Sequence, residues 1–315
     1  RFLLGLAEAG FFPGMILYLT YWYPAERRGR ITALFMTAVP LAGVIGGPLS
    51  GWILERFGGV NGWAGWQWLF LLEGVPSVLV GLLVLALLDD HIDKASWLDR
   101  DEKELLKESI RRDVQTETSH SFRDALGNGN VWLLSLVYFS IVMGLYGIGF
   151  WLPTLVKATG VKSALDIGLL SAIPYAVATV AMVLGGRSAD RSRERRWHLA
   201  VPAVLGAIGL WLSAVYPTHT VFAIGALTLA CAGIITALPL FWSLPTAFLG
   251  GTAAAGGIAL INSIGNLSGF VSPYMVGYIK DLTQSTSQGM YVLALFQLLA
   301  AVLVIVGIPA RLVNR

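Results

Sequence analysis

The sequence predicts an all-α polytopic membrane bundle, and three observations carry that prediction. Apolar residues make up 56% of the 315 positions and charged residues only 13%, where a soluble globular chain runs at about 45–50% and about 25%. Mean hydropathy is +0.68. The apolar residues also come in blocks of about 20, the length at which a helix rising about 1.5 Å per residue crosses hydrocarbon. Only helices or a closed barrel satisfy every backbone group in lipid, and these blocks lack the alternation of barrel strands.

Nine spans follow from the breaks between blocks: 1–23, 31–54, 66–88, 131–153, 167–185, 198–216, 221–242, 253–279 and 290–309. The first begins at Arg1 inside apolar sequence, with no charged leader, which gives the expectation that the natural N-terminus is missing. In the second, Gly43, Gly47 and Gly51 recur every four residues around Pro48, a small-residue face for close helix contact with a bend. The third carries Gln67 and Glu73, the latter read as structural. Between the third and fourth lies a polar stretch with a short amphipathic helix. There Asp99 and Glu102 form a capping pair, and Leu105, Leu106 and Ile110 mark the apolar face. The expected organisation is thus 1–88 as the remainder of an N-terminal bundle, 89–130 as a cytoplasmic linker and 131–315 as a six-helix C-terminal bundle. Three spans before the linker and six after it is an odd total for a protein built from two six-helix halves, so three spans are expected to be absent from the N-terminal side.

Charge placement sets orientation. Most of the 22 Lys and Arg fall in the loops after spans one, three and five and in the tail at Arg311 and Arg315, while the alternate loops hold only Arg56, Lys157, Lys162 and Lys280. The positive-inside rule makes the first set, and the C-terminus, cytoplasmic. A net charge of +3, spent on orientation, leaves no basic, aromatic-interleaved surface for nucleic acid. The single cysteine, Cys231, excludes disulfides and multi-cysteine metal sites, and His91, His120, His198 and His219 lack ligand spacing. No nucleophile, metal cluster or acid pair sits at lipid depth, so no enzyme and no cofactor beyond a coupling proton is expected.

Charges at that depth cost at least about 2.5–3.5 kcal/mol and therefore face cavities and carry function. Arg1 and Glu8 lie two turns apart on one helix face. The Arg1 guanidinium is a permanent planar fork that fits a carboxylate and is the first candidate for substrate binding. Glu8 suits proton exchange, because a carboxyl withdrawn from bulk water loads and releases a proton within the working range. Asn262 and Asn266 form an amide stripe on the eighth span, satisfied either by a substrate or by a facing helix. On the fourth span Tyr138, Tyr146 and Phe150 share helical spacing. Tyr146 is favoured for the cavity, and Trp151, like Trp242 on the seventh span, is read as an interfacial belt residue.

These residues resemble the major facilitator superfamily, within it the anion:cation symporter group of bacterial tartrate, phthalate, hexuronate and galactonate permeases. RFLLGLAEAGFFPG looks like the fourth helix of that family, PAERRGR its following loop, GWQWLFLLEGVPSVLVG its sixth helix, LYGIGFWLPTLVK its seventh, and LPTAFLGGTAAAGGIALINSIGNLSGFVSPYMVGYIKD the loop and eleventh helix. The resemblance implies a major facilitator fold lacking its first three helices. It also implies a substrate-binding Arg at Arg1 and a proton-coupling Glu at Glu8. Gly186 through Asp190 and Arg191, followed by Arg195 and Arg196, is similar to the Gly-x-x-x-Asp-Arg signature, with Arg193-Glu194 where the family usually has Gly. The four charges Asp190, Arg191, Arg195 and Arg196 are candidates for a gating latch. The implied activity is proton-coupled uptake of a small organic anion by a monomer in the bacterial inner membrane. GVIGGPLSG also partly resembles the fifth-helix signature of drug/proton antiporters, which makes an exporter the alternative.

Overall fold

The computed structural model describes residues 11–24, 31–32, 34–114, 126–245 and 251–310, together with Leu3, Leu6 and Ala7. Their regular elements are helices α1 (Phe11–Trp22), α2 (Ala38–Phe57), α3 (Gly65–Leu87), α4 (Arg100–Val114), α5 (Gly129–Ala158), α6 (Ala164–Ser192), α7 (Arg196–Val215), α8 (Thr220–Phe241), α9 (Gly251–Asn266), α10 (Ser268–Thr283) and α11 (Ser287–Gly307), with two short 3-10 turns. Seven helices among the described residues are long and apolar enough to cross a membrane. Helix α5, with 30 residues, reaches about 45 Å and so extends beyond a hydrocarbon core of about 30 Å. Packing divides the chain into two compact units, one from 1–38 and 70–118, the other from 39–69 and 119–315.

In the first unit a small core of Trp22, Ile92 and Ala95 is closed by Tyr18, Tyr23, Leu98, Leu106 and Ile110. Trp22 stacks on Trp97 with centroids 5.6 Å apart, and the Tyr18 hydroxyl donates to the Asp89 carbonyl at 3.0 Å. Helix α4 starts where the sequence placed its capping pair. The Glu102 amide donates to Asp99 Oδ1 at 2.8 Å and the Asp99 amide donates to Glu102 Oε2 at 3.1 Å, a reciprocal box that satisfies two orphan N–H groups. The apolar face is narrower than expected, because Leu105 is 70% exposed while Leu106 and Ile110 pack. A step of one residue turns a helix by about 100°, so Leu105 cannot share the stripe of the i, i+4 pair. Lys107 pairs with Asp93, and that hydrogen bond holds the exposed Asp93 carboxyl below its ordinary range.

The second unit is built on a core that includes Met143, Ile148, Leu210, Leu227, Ile234 and Leu293. Helix α7 lies against α8 and α11, and α8 against α6. Lipid-length apolar surface remains on the outside, as at Val221, Phe222, Leu295 and Val306. Two buried polar side chains at the core are tied to backbone. Gln297, fully buried, donates from Nε2 to the Ser140 and Ile141 carbonyls at 2.8 and 3.2 Å, and Ser272 Oγ donates to the Met143 carbonyl at 2.6 Å. These bonds lock α5 to α11 and to α10, the arrangement on which the candidate site depends.

The eighth predicted span is two helices, α9 and α10, divided at Leu267. Local chemistry explains the division. Asn266 Nδ2 donates to the Asn262 carbonyl at 2.9 Å and Ser268 Oγ to the Gly265 carbonyl at 2.5 Å, so side chains compete for acceptors that a continuous helix needs. The Leu267 amide takes a tighter bond to the Ile264 carbonyl, three residues back. Pro273 then withholds an N–H from the Gly269 carbonyl and crowds it.

Candidate functional site

The polar wall forms where α5 meets the α9–α10 break. Glycine makes the approach possible. A Cβ on Gly265 would overlap the Tyr138 ring, and one on Gly269 would lie 3.1 Å from the Tyr146 ring. Two tyrosines eight residues apart on α5 therefore lie flush on two glycines four residues apart that bracket the break. Tyr138, 7% exposed, is held from behind by Phe241 and Trp242, each with its centroid 4.8 Å from the Tyr138 ring. That contact places Trp242 in protein packing, in place of the interfacial belt the sequence suggested. Trp151 is likewise packed on the bundle core, with Lys280 5.1 Å above its ring.

Above this aromatic base the polar atoms converge. The Tyr146 hydroxyl donates to Asn266 Oδ1 at 3.4 Å, and Asn266 Nδ2 donates to Asn262 Oδ1 at 2.9 Å as well as to its carbonyl. Tyr146 and Asn262 are half-buried and Asn266 is exposed. Tyr146, Asn266 and Asn262 thus form one hydrogen-bonded chain across 120 residues of sequence, and its last member, Asn262, carries an amide nitrogen with two N–H donors. Irregular backbone at membrane depth is tolerated where it lines a cavity, and broken helices mark binding sites in transporters. Gly265 and Gly269 are the residues that the sequence reading missed. Glycines four residues apart face tyrosines eight residues apart, a pairing that has meaning only once α5 is known to touch both α9 and α10. Arg1 and Glu8 lie outside the described residues.

The charged motif sits on the last turns of α6 and the start of α7, where the sequence reading had placed it between spans. Asp190 and Arg195 pair at 2.7 Å. Arg196 donates to the Ile305 carbonyl at the end of α11, and Arg191 is exposed. The departure from the family pattern has a physical reading. Arg193 caps α6 with φ 51°, the left-handed conformation that glycine adopts without cost. Glu194 caps α7, accepting the Trp197 and His198 amides at 2.8 and 3.1 Å and pairing with His198 Nδ1 at 3.0 Å, while His198 Nε2 meets Ser188 Oγ at 3.0 Å. Replacing Arg193 with Gly should raise stability by about 0.5–1 kcal/mol, the left-handed cost less the extra unfolded-state entropy of glycine. Thermal unfolding in detergent checks this, and an unchanged or lowered midpoint contradicts it.

Comparison with known proteins agrees with the fold. Residues 1–273 match the Major Facilitator Superfamily. The chain is 48% identical over 317 residues to the putative metabolite transport protein NicT of Pseudomonas putida, covering all of this chain and 72% of that one. It is 46% identical over 308 residues to a putative tartrate transporter of Agrobacterium vitis, covering 97% and 68%. It is 40% identical over 307 residues to a quinolone resistance transporter of Acinetobacter baumannii, covering 96% and 70%. The partially occluded inward open structure of the xylose transporter XylE from E. coli superposes with a TM-score of 0.67 at 16% identity, over 93% of this chain and 66% of that one. The chain belongs to the Major Facilitator Superfamily and is that of an integral membrane transporter of small molecules, not an enzyme.

Proposed function

We propose that the protein carries out proton-coupled uptake of a small organic anion, a carboxylate such as a sugar acid, a dicarboxylate or an aromatic acid, by alternating access. The observation that carries this reading is the Tyr146–Asn266–Asn262 chain at the α9–α10 break. It presents hydroxyl and amide groups to one side of a helix interruption, where a hydroxylated acid finds donors and acceptors in one place. Arg1 supplies the fixed cation for the carboxylate and Glu8 the exchangeable proton. Asp190, Arg191, Arg195 and Arg196 act at the cytoplasmic end, where the Asp190–Arg195 pair sets the stability of one gating state. The protein works as a monomer in the bacterial inner membrane with its C-terminus in the cytoplasm.

A second reading, export of amphipathic compounds in exchange for protons, is favoured by the relative named for quinolone resistance. The two readings separate in proteoliposomes holding the full-length protein under an inward proton gradient. Radiolabelled tartrate should accumulate and be lost on adding a protonophore. Asn262→Ala and Tyr146→Phe should each raise the half-saturating concentration by about tenfold, the effect of one hydrogen bond to a charged ligand. Proton-driven movement of a quinolone, with no uptake across a panel of carboxylates, would favour export and sink the anion reading.

A further inference from the structure

Helix α2 lies before the linker in the chain and α6 after it, yet the two meet along a seam inside the second unit. Gly43, Gly47 and Gly51 face it in register. A Cβ on Gly43 would lie 2.5 Å from the Tyr175 ring, one on Gly47 would lie 2.9 Å from the Gly168 carbonyl, and one on Gly51 would overlap the Ala164 carbonyl. The next position in that four-residue register is a carboxylate. Glu55 Oε2 accepts from Ser163 Oγ at 3.0 Å and from the Leu165 amide at 3.1 Å. Ser163 is itself the N-cap of α6, its oxygen accepting from the Asp166 amide at 3.1 Å.

Glu55 is thus a negative charge carried by one helix and bonded to the first turn of another, where orphan N–H groups and the positive end of the dipole stabilise it. Glycine contacts are short-range and hold equally on either side of a register. The carboxylate bonds are directional and charge-assisted, and they exist only while the seam is shut at this end. By the positive-inside rule this is the outer end, since α2 leaves the cytoplasm and α6 returns to it.

We propose that Glu55 is the latch of the outer gate: its carboxylate holds the α6 N-terminus against α2 in the outward-closed state, and its release opens the outer side. The inference rests on the alternating-access reading and assigns Glu55 a positioning role through α6, with no contact to substrate. Two packed surfaces that are bistable need such a discrete bond to set their balance.

Ser171 provides the reporter. It follows Ala164 and Gly168 on the seam face of α6, is 4% exposed, and its hydroxyl has no hydrogen-bond partner. The full-length protein, with Cys231 and any other cysteine replaced by Ser, would carry Ser171→Cys and be treated with a membrane-impermeant maleimide from each face. Glu55→Gln should raise the labelling rate from the outer face by at least about tenfold, the factor one charge-assisted hydrogen bond is worth, and Glu55→Asp should restore part of the protection. Unchanged labelling, or labelling gained from the inner face, overturns the proposal. Should Glu55→Gln not reach the membrane, Ser163→Ala must raise outer labelling by a smaller factor, and no rise overturns the proposal equally. The labelling requires no substrate, so a latch effect without carboxylate transport removes the anion reading alone, while intact tartrate uptake with unmoved labelling removes the latch alone.

Discussion

Replacing Glu8 with Gln should abolish uphill accumulation while counterflow exchange of the anion persists. A neutral amide keeps the volume and hydrogen bonding of a protonated glutamate but cannot release a proton, so substrate still exchanges across the site and the gradient no longer drives it. Such a protein should equilibrate substrate at close to the wild-type rate with none of the concentrating power. Arg1→Ala should behave differently and lose counterflow as well, because a carboxylate drawn into a low-dielectric cavity without its cation leaves a charge unpaired, a loss of about 3–5 kcal/mol. The paired measurement is made in proteoliposomes with and without a proton gradient. Undiminished proton-driven accumulation in Glu8→Gln would remove the coupling role outright.

A second large effect is expected from one methyl group. Gly265→Ala places a Cβ inside the Tyr138 ring, and that ring cannot retreat because Phe241 and Trp242 lie behind it. Overpacking of this kind costs about 1–3 kcal/mol. The relief available is a shift of α5 away from α9, which breaks the 3.4 Å Tyr146–Asn266 contact. Transport should fall by more than about tenfold, with a lowered thermal midpoint in detergent. Gly269→Ala should be milder, since its added carbon lies 3.1 Å from a half-buried Tyr146 ring, against the outright overlap at Gly265. A wild-type transport rate in Gly265→Ala would show that the wall tolerates displacement and would detach Tyr146 from the site.

Features set by neighbours in sequence were legible in advance. The capping box of α4 joins residues three apart, and its partners are decided within one turn. The apolar blocks announce spanning helices because lipid imposes the same length and polarity on each. The glycine repeat around Pro48 announced a face for close contact, though not that α6 would fill it. Other readings failed where the deciding contact is distant. Trp151 and Trp242 carry the composition of belt residues, but whether an indole meets headgroups or a neighbouring ring depends on which helix lies beside it. Leu105 was drawn into an apolar face by adjacency, and only the packing of Leu106 and Ile110 shows which stripe is covered. The left-handed backbone at Arg193 could not be read from an arginine, whose side chain gives no signal for that conformation.

By itself the sequence determined the solvent of this protein, its helical class, the placement of most spans and the few polar residues that lipid makes expensive. The tertiary structure alone decided which of those residues meet. It brought Tyr146 to Asn266, seated two tyrosine rings on Gly265 and Gly269, divided one span at Leu267 and carried Glu55 to the first turn of α6. Periodicity along a chain fixes which face a residue occupies, whereas a hydrogen bond or a ring contact across more than a hundred residues depends on how two faces are brought together, and only packing supplies that.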